Sequence, residues 1–244
     1  MSEINKKRIA VLVSGSGTNL QSIIDNVENG NLNCEITYVI ADRECYSLQR
    51  AEKHRIKNLL LDRKIIDNKL ANEIIDSTLK ESKTDYIVLA GYLSILTEKF
   101  IKEWDKRVIN IHPSLLPKFG GKGMYGIKVH EAVIKAGEKE SGCTVHFVTN
   151  EIDAGEIITN VKVPVLEDDT PETLQKRVLE QEHKLLIKGI KKGKDFSGTQ
   201  DYSPTNHLLL SNNKEYHGKT ENEEFYKILN ELLGEDYSNI IQRY

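Results

Sequence analysis

Short apolar runs alternate with amphipathic stretches through the first half of the chain. Residues 9–13, 36–40, 58–61, 86–90 and 108–111 are almost continuously apolar. That pattern predicts short strands covered on both faces, as in a parallel sheet. Between them apolar residues recur at helical spacing. Leu20, Ile23, Ile24 and Val27 form one stripe that stops at Gly30, and Ile74, Ile75 and Leu79 form another within residues 68–80. The rhythm predicts an α/β fold, a doubly wound, mostly parallel open sheet. After residue 140 it changes. Residues 144–148 and 157–165 predict an antiparallel hairpin at one sheet edge, joined by the polar turn 149–156. Thr170-Pro171 then opens a helix expected to reach about Lys192, with proline in its first turn.

Residues 195–220 are polar and turn-rich. Phe225, Ile228, Leu229 and Leu232 restore a helical face over residues 221–233, stopped by Gly234. The expected organisation is one domain over residues 1–192 and a C-terminal extension over 193–244. The extension either packs on the domain or mediates association. Of the 244 residues, 39% are hydrophobic and 29% charged, which is ordinary for a soluble globular protein. A net charge of −3 argues against a nucleic-acid or anionic-membrane partner. The three cysteines have no metal-ligand spacing and suit a reducing compartment. Only residues 9–13 form an apolar run near the start, too short for a signal segment or a span. The expectation is a cytoplasmic protein.

Candidate chemistry begins at the end of the fifth strand. Asn110 and His112 lie two residues apart and so share one face of an extended strand, and Pro113 and Pro117 fix the loop that follows. An amide donor beside an imidazole suits a carbonyl oxygen that must be held and protonated. Ser14-Gly15-Ser16-Gly17-Thr18-Asn19 joins the first strand to the first helix. It lacks the third glycine of a dinucleotide fingerprint and the Gly-Lys-Ser/Thr of a P-loop. Two readings stand: a pocket for one phosphate at a helix N-terminus, or a tight turn that needs glycine. Thr18 and Gln21 also have capping-box spacing. Asp153, in the hairpin turn, is either a charge partner for His112 or a turn residue. His146 is either a supporting or a purely structural histidine.

These segments together resemble the folate-dependent formyltransferase family, and within it the members that formylate phosphoribosylglycinamide (GAR). The resemblance rests on Ser14 to Leu20, Val88-Leu89-Ala90-Gly91-Tyr92-Leu93, Asn110 to Pro117, Gly142 to Val148, Asp153-Ala154-Gly155 and Glu182-His183. It covers about residues 7–192. It implies the formyltransferase fold and formyl transfer from the co-substrate 10-formyltetrahydrofolate to the primary amine of GAR, in purine biosynthesis. The implied catalytic set is Asn110, His112 and Asp153, supported by Thr144 and His146. Gly17, Thr18, Asn19 and Glu182 would bind GAR. Leu93, Ser94, Ile95, Leu96, Asn110, Thr149, Asn150, Glu151, Ile152 and Asp153 would line the folate pocket. No metal is implied, and relatives include monomers and homodimers.

The chain departs from the pattern in two places. Where the family often has an arginine contacting the folate tail, Asn68 and Lys69 stand, and Lys69 is the cationic candidate. The loop Gly120-Gly121-Lys122-Gly123-Met124-Tyr125-Gly126 is long and glycine-rich, either a lid or a solvated loop. Asn110 and protonated His112 are expected to donate to the oxyanion, with Asp153 holding the charge and relaying a proton through water. Competing readings are a formyltetrahydrofolate hydrolase, a transformylase acting on charged tRNA, and a catalytically silent folate- or nucleotide-binding protein. The glycine loop counts against the first, the acidic charge against the second, and the intact Asn-His-Asp set against the third.

Overall fold

The structure is a computed structural model and describes residues 6–196. Seven strands form one sheet in the order β3-β2-β1-β4-β5-β6-β7. Strands β1 (Lys7–Val13), β2 (Cys34–Ala41), β3 (Asn58–Leu60), β4 (Tyr86–Leu89) and β5 (Val108–His112) are parallel. The antiparallel strands β6 (Glu140–Phe147) and β7 (Ile157–Pro164) complete the edge. The predicted α/β sheet with an antiparallel hairpin is therefore the observed one. Helices α1 (Thr18–Glu28), α2 (Tyr46–Lys53), α3 (Asn68–Glu81), α4 (Glu98–Glu103), α5 (Ile127–Lys135) and α6 (Pro171–Phe196) are the described helices.

The central strands are buried because both faces are covered. Ile9, Ala10, Val11, Leu12 and Val13 are fully buried, so no polar alternation survives in β1. Leu20, Ile23 and Ile24 of α1, with Leu174, Val178, Leu186 and Ile190 of α6, join Val11, Val13, Val88 and Ile109 in one core. Tight approach matters at Gly189 of α6, where a Cβ would lie 2.6 Å from Val145 Cγ1.

Three helices, α2, α4 and α5, were not anticipated from the periodicity. They have 8, 6 and 9 residues, too few turns to display a repeating stripe. Two boundaries also differ from expectation. Strand β6 begins at Glu140 rather than 144, and α6 passes through Gly193 to Phe196. The capping box at Thr18 does not form. Gly17 is the cap residue, with φ 71°, and its lack of a side chain leaves the first amides without a side-chain partner. Gln21 instead bonds Asp25 and His54 and accepts from Arg50. The expected helix over 221–233, with most of the extension, lies outside the described residues. Among the described residues no helix is long and apolar enough to cross a membrane.

The sheet order sets the position of the site. Strand β1 has β2 on one side and β4 on the other, so the connections from β1 and β4 leave in opposite directions. Loops at the carboxyl ends of β1, β4 and β5 therefore flank one crevice, the usual ligand position in open α/β sheets.

Candidate active site

Strand register brings the polar cluster together. In the β5–β6 ladder Asn110 is opposite His146, and His112 is opposite Thr144. The four side chains share one face because both pairs keep the two-residue period. Thr144 is fully buried; its hydroxyl donates to Ser114 O at 2.7 Å and accepts from Leu116 N at 3.2 Å. It thus anchors the loop that leaves β5.

His112 is buried, with an oxygen on each side of its ring. Nε2 is 2.8 Å from the carbonyl oxygen of Phe119, and Nδ1 is 3.4 Å from Asp153 Oδ2. A carbonyl can only accept, so Nε2 carries a proton. On the other side of the ring Nδ1 faces the Asp153 carboxylate, an acceptor for any proton it carries. The Nδ1 contact is longer than a good hydrogen bond and leaves that edge of the ring available to another group.

Asp153 is held by backbone at φ 56° and accepts from Gly121 N–H at 2.9 Å. The Phe119–Gly121 segment therefore grips both His112 and Asp153, one by carbonyl and one by amide. Gly120 between them has no room for a side chain: a Cβ would meet Leu116 Cδ2 at 2.6 Å and Asp153 Cβ at 3.2 Å. The first part of the glycine-rich loop is thus a wall of the site.

His146 is also within reach of Asp153, with Nε2 3.6 Å from Oδ1. Its environment differs, however. Burial lowers its pKa below the ordinary histidine value, only partly offset by its bond to Phe147 O and by Asp153. The ring is neutral at pH 7, and Nδ1 donates to Phe147 O at 2.8 Å. Nε2 is then an acceptor for Asn110 Nδ2, 3.2 Å away. That contact fixes the amide orientation and turns Asn110 into a directed donor.

The glycine loop lies at the end of β1. Ser47 of α2 supports it, with its N–H and hydroxyl 3.2 and 2.8 Å from Gly15 O, and Arg50 Nε donates to Ser16 O at 2.8 Å. A Cβ on Gly17 would lie 2.6 Å from Ser47 Oγ, so this close packing and the positive φ both require glycine. The Asn19 side chain does not lie open to a ligand as a free donor. It is buried and its Nδ2 donates to Glu182 Oε2 at 2.7 Å. Glu182 has its pKa raised by burial, moderated by the bond from Asn19. Asn19 Oδ1 has no hydrogen-bond partner, an orphan acceptor beside the loop.

After β4, Leu93 and Ile95 are 42% and 64% exposed while Leu96 is buried, so alternate residues face outward. Across the sheet edge Ile152 is 44% exposed, within the turn that carries Thr149, Asn150 and Glu151. Such exposed apolar residues suit an aromatic ligand. Lys69 lines a cleft of about 400 Å³ between α3 and α4 with Asn72, Thr97 and Phe100, which adjoins the 93–96 segment through the bond from Thr97 N to Asn72 Oδ1.

Two residues of interest escaped the sequence reading. His130 of α5 is buried, with Nδ1 unpartnered, and burial with the nearby charge of His112 lowers its pKa to about 4. Its only sequence signal is a histidine on the apolar face of a short helix. Asp42, just after β2, is 2% exposed and bonds groups from two other loops. A lone carboxylate at a strand's carboxyl end is a faint signal. Among the described residues no group of three or more His, Cys, Asp and Glu is placed to hold a metal ion.

Comparison with known proteins agrees with this architecture. The family model described as formyl transferase matches residues 7–190. A chloroplastic phosphoribosylglycinamide formyltransferase of Arabidopsis thaliana is 40% identical over 189 residues, covering 76% of this chain. The chain spans 64% of the length of that relative. A phosphoribosylglycinamide formyltransferase of Haemophilus influenzae is 42% identical over 193 residues, 77% of this chain and 89% of the relative. The crystal structure of the enzyme of that name from Anaplasma phagocytophilum superposes with a TM-score of 0.71. It is 39% identical and covers 78% of this chain and 88% of its own. Matching fold, ordered motifs and this degree of identity show that the chain belongs to the formyl transferase family.

Proposed function

We propose that this protein transfers the formyl group of 10-formyltetrahydrofolate to the primary amine of GAR. The observation that carries the reading is the His112 ring, set between Phe119 O and Asp153 Oδ2 on the same strand face as a directed Asn110 amide. The names of the similar Arabidopsis and Haemophilus proteins support GAR as the acceptor.

In this reading, residues 1–192 form the catalytic domain. The backbone amides of Gly17, Thr18 and Asn19 take the phosphate of GAR. Glu182, with Asn19 beside it, serves the polar groups of the sugar. The exposed apolar side chains of Leu93, Ile95 and Ile152, with Ser94, Leu96 and the turn from Thr149 to Asp153, bound the folate side. Lys69 is the cation available to the folate tail.

The attacking amine adds to the formyl carbon and converts its carbonyl oxygen to an oxyanion. Asn110 Nδ2 and His112 Nδ1–H donate to that oxygen, and one such donor is typically worth about 3 kcal/mol at the transition state. His112 can use only Nδ1, because Nε2 is committed to Phe119. Asp153 keeps the ring charged and, through a water, carries the proton from the attacking nitrogen to the departing folate nitrogen. Neutral His146 keeps Asn110 turned as a donor. Cys143 takes no part: burial, then Glu182, raises its thiol pKa far above neutrality. A cytoplasmic setting is part of this proposal.

The test is an assay of purified protein with 10-formyltetrahydrofolate, with and without GAR. Tetrahydrofolate release that requires GAR is the expected result. Release at the same rate without GAR would identify a hydrolase instead, and no release in either arm would leave a binding protein.

A further inference from the structure

We propose that Asp42 is a positioning residue that fastens the glycine loop and the 93–96 segment to a common buried carboxylate. The substrate names attached to those two segments rest on the function proposed above; the tether itself does not.

Asp42 lies just beyond β2, outside the reacting cluster, and is 2% exposed. Its carboxylate accepts from Arg43 Nε and Nη2 at 2.8 and 2.9 Å. Ser94 Oγ donates to Oδ2 at 2.6 Å, a short charge-assisted bond. The third arm is Ser14, the first residue of the glycine loop. Its oxygen accepts the Leu93 N–H at 2.8 Å, and its hydroxyl is among the groups that lower the Asp42 pKa. Burial works to raise the Asp42 pKa, but the bonds from Arg43, Ser94 and Ser14 outweigh it and hold the carboxyl below its ordinary value. The group is therefore ionised at neutral pH.

One carboxylate thus serves two of the three loops that flank the crevice: Ser14 opens the phosphate side, and Ser94 lies within the folate side. Leu93 and Ile95 are exposed, so little apolar packing fixes that segment apart from Leu96. Its backbone is held by Ser14 at Leu93 N, at 2.8 Å, and more weakly by Asn72 at Ile95 O, at 3.5 Å, and its side-chain anchor is Asp42. An asparagine at 42 has the same shape but sets its NH2 against one arm of the Arg43 fork, which can only donate, and forces a serine hydroxyl on that side to turn round. Both loops should loosen together. Ground-state placement of the two ligands suffers, while the Asn110, His112 and Asp153 geometry is untouched.

The experiment combines kinetics with amide hydrogen exchange on the full chain. Asp42→Asn should raise KM for both GAR and the folate at least tenfold, with kcat within threefold of wild type. Exchange should quicken in residues 14–18 and in 93–96. Ser94→Ala should affect the folate KM and 93–96 only, and adding it to Asp42→Asn should raise the folate KM little further. If Asp42→Asn does not fold, Ser14→Ala takes its place, because it removes the Leu93 contact as well and should loosen both segments. A KM change for one substrate alone, a collapse of kcat, or unchanged exchange in either segment overturns the proposal. Should the wild type fail to formylate GAR, the exchange arm still decides the tether, and only the assignment of substrates falls.

Discussion

Replacing Asp153 by asparagine removes one charge from the centre of the site while keeping the shape of the side chain. Asp153 Oδ2 is 3.4 Å from His112 Nδ1, and its side chain is 10% exposed. At that separation and an effective dielectric constant near 20, the attraction between the two charges is about 5 kcal/mol, an upper bound for its contribution. Part of this attraction is already offset by desolvation of both groups. What catalysis loses is the fraction that keeps His112 a charged donor as the oxyanion forms. A single preorganised donor sets that at about 3 kcal/mol, a fall in kcat of roughly 100-fold or more. Asparagine Oδ1 can still accept the Gly121 N–H, now 2.9 Å from Asp153 Oδ2, so the loop should stay in place. The assay is single-turnover formyl transfer with both substrates saturating, beside a thermal melt. The expected variant has a melting temperature close to wild type and a rate lower by two orders of magnitude. A rate within threefold of wild type, or a loss expressed only in KM, would refute the role given to Asp153.

Three further perturbations address other parts of the account. Gly17→Ala should cost about 1–2 kcal/mol of stability by chemical denaturation and raise the GAR KM, since φ is 71° and the new Cβ meets Ser47 Oγ at 2.6 Å; unchanged stability and KM would contradict the loop geometry. Glu182 is buried and its pKa is raised, so its contribution is full below about pH 4.5 and is lost as pH rises through the folded value. Glu182→Gln should therefore be more stable than wild type in urea at pH 8, with the advantage shrinking toward pH 4.5, while GAR binds more weakly. A pH-independent difference would count against the buried charge. His130 has the opposite linkage: its lowered pKa, about 4 against an ordinary 6.5, makes folding lose stability as pH falls through that window. The whole shift is worth about 3 kcal/mol. The difference in stability between His130→Leu and wild type should grow by that order from pH 7 to pH 4, and a constant difference would sink the assignment.

The strands were legible because burial on both faces leaves a continuous apolar run, and β1 is the clearest case. Helix α4 was not, because six residues N-capped by Thr97 contain too little sequence to show a period. At the glycine loop, local chemistry misled. Thr18 and Gln21 have the spacing of a capping pair, yet Gly17 takes the left-handed conformation and Arg50 engages Gln21 from α2. Asn110 and His112 were readable as one face of one strand. Asp153, 41 positions later, was legible only as one of two readings, charge partner or turn residue, and the resemblance favoured the first, since no local rule pairs residues that far apart. Separation along the chain also hid Asp42, whose partners Ser14 and Ser94 come from two other loops. Residues joined only by tertiary packing leave no periodic trace.

The most direct measurement follows the formyl carbon itself. With 10-formyltetrahydrofolate labelled with ¹³C in the formyl group, NMR of the reaction distinguishes an N-formyl amide from free formate. The account predicts that the label passes to the amine of GAR in step with tetrahydrofolate formation, and that His112→Ala abolishes the transfer. Label accumulating as formate while GAR remains unmodified would contradict it.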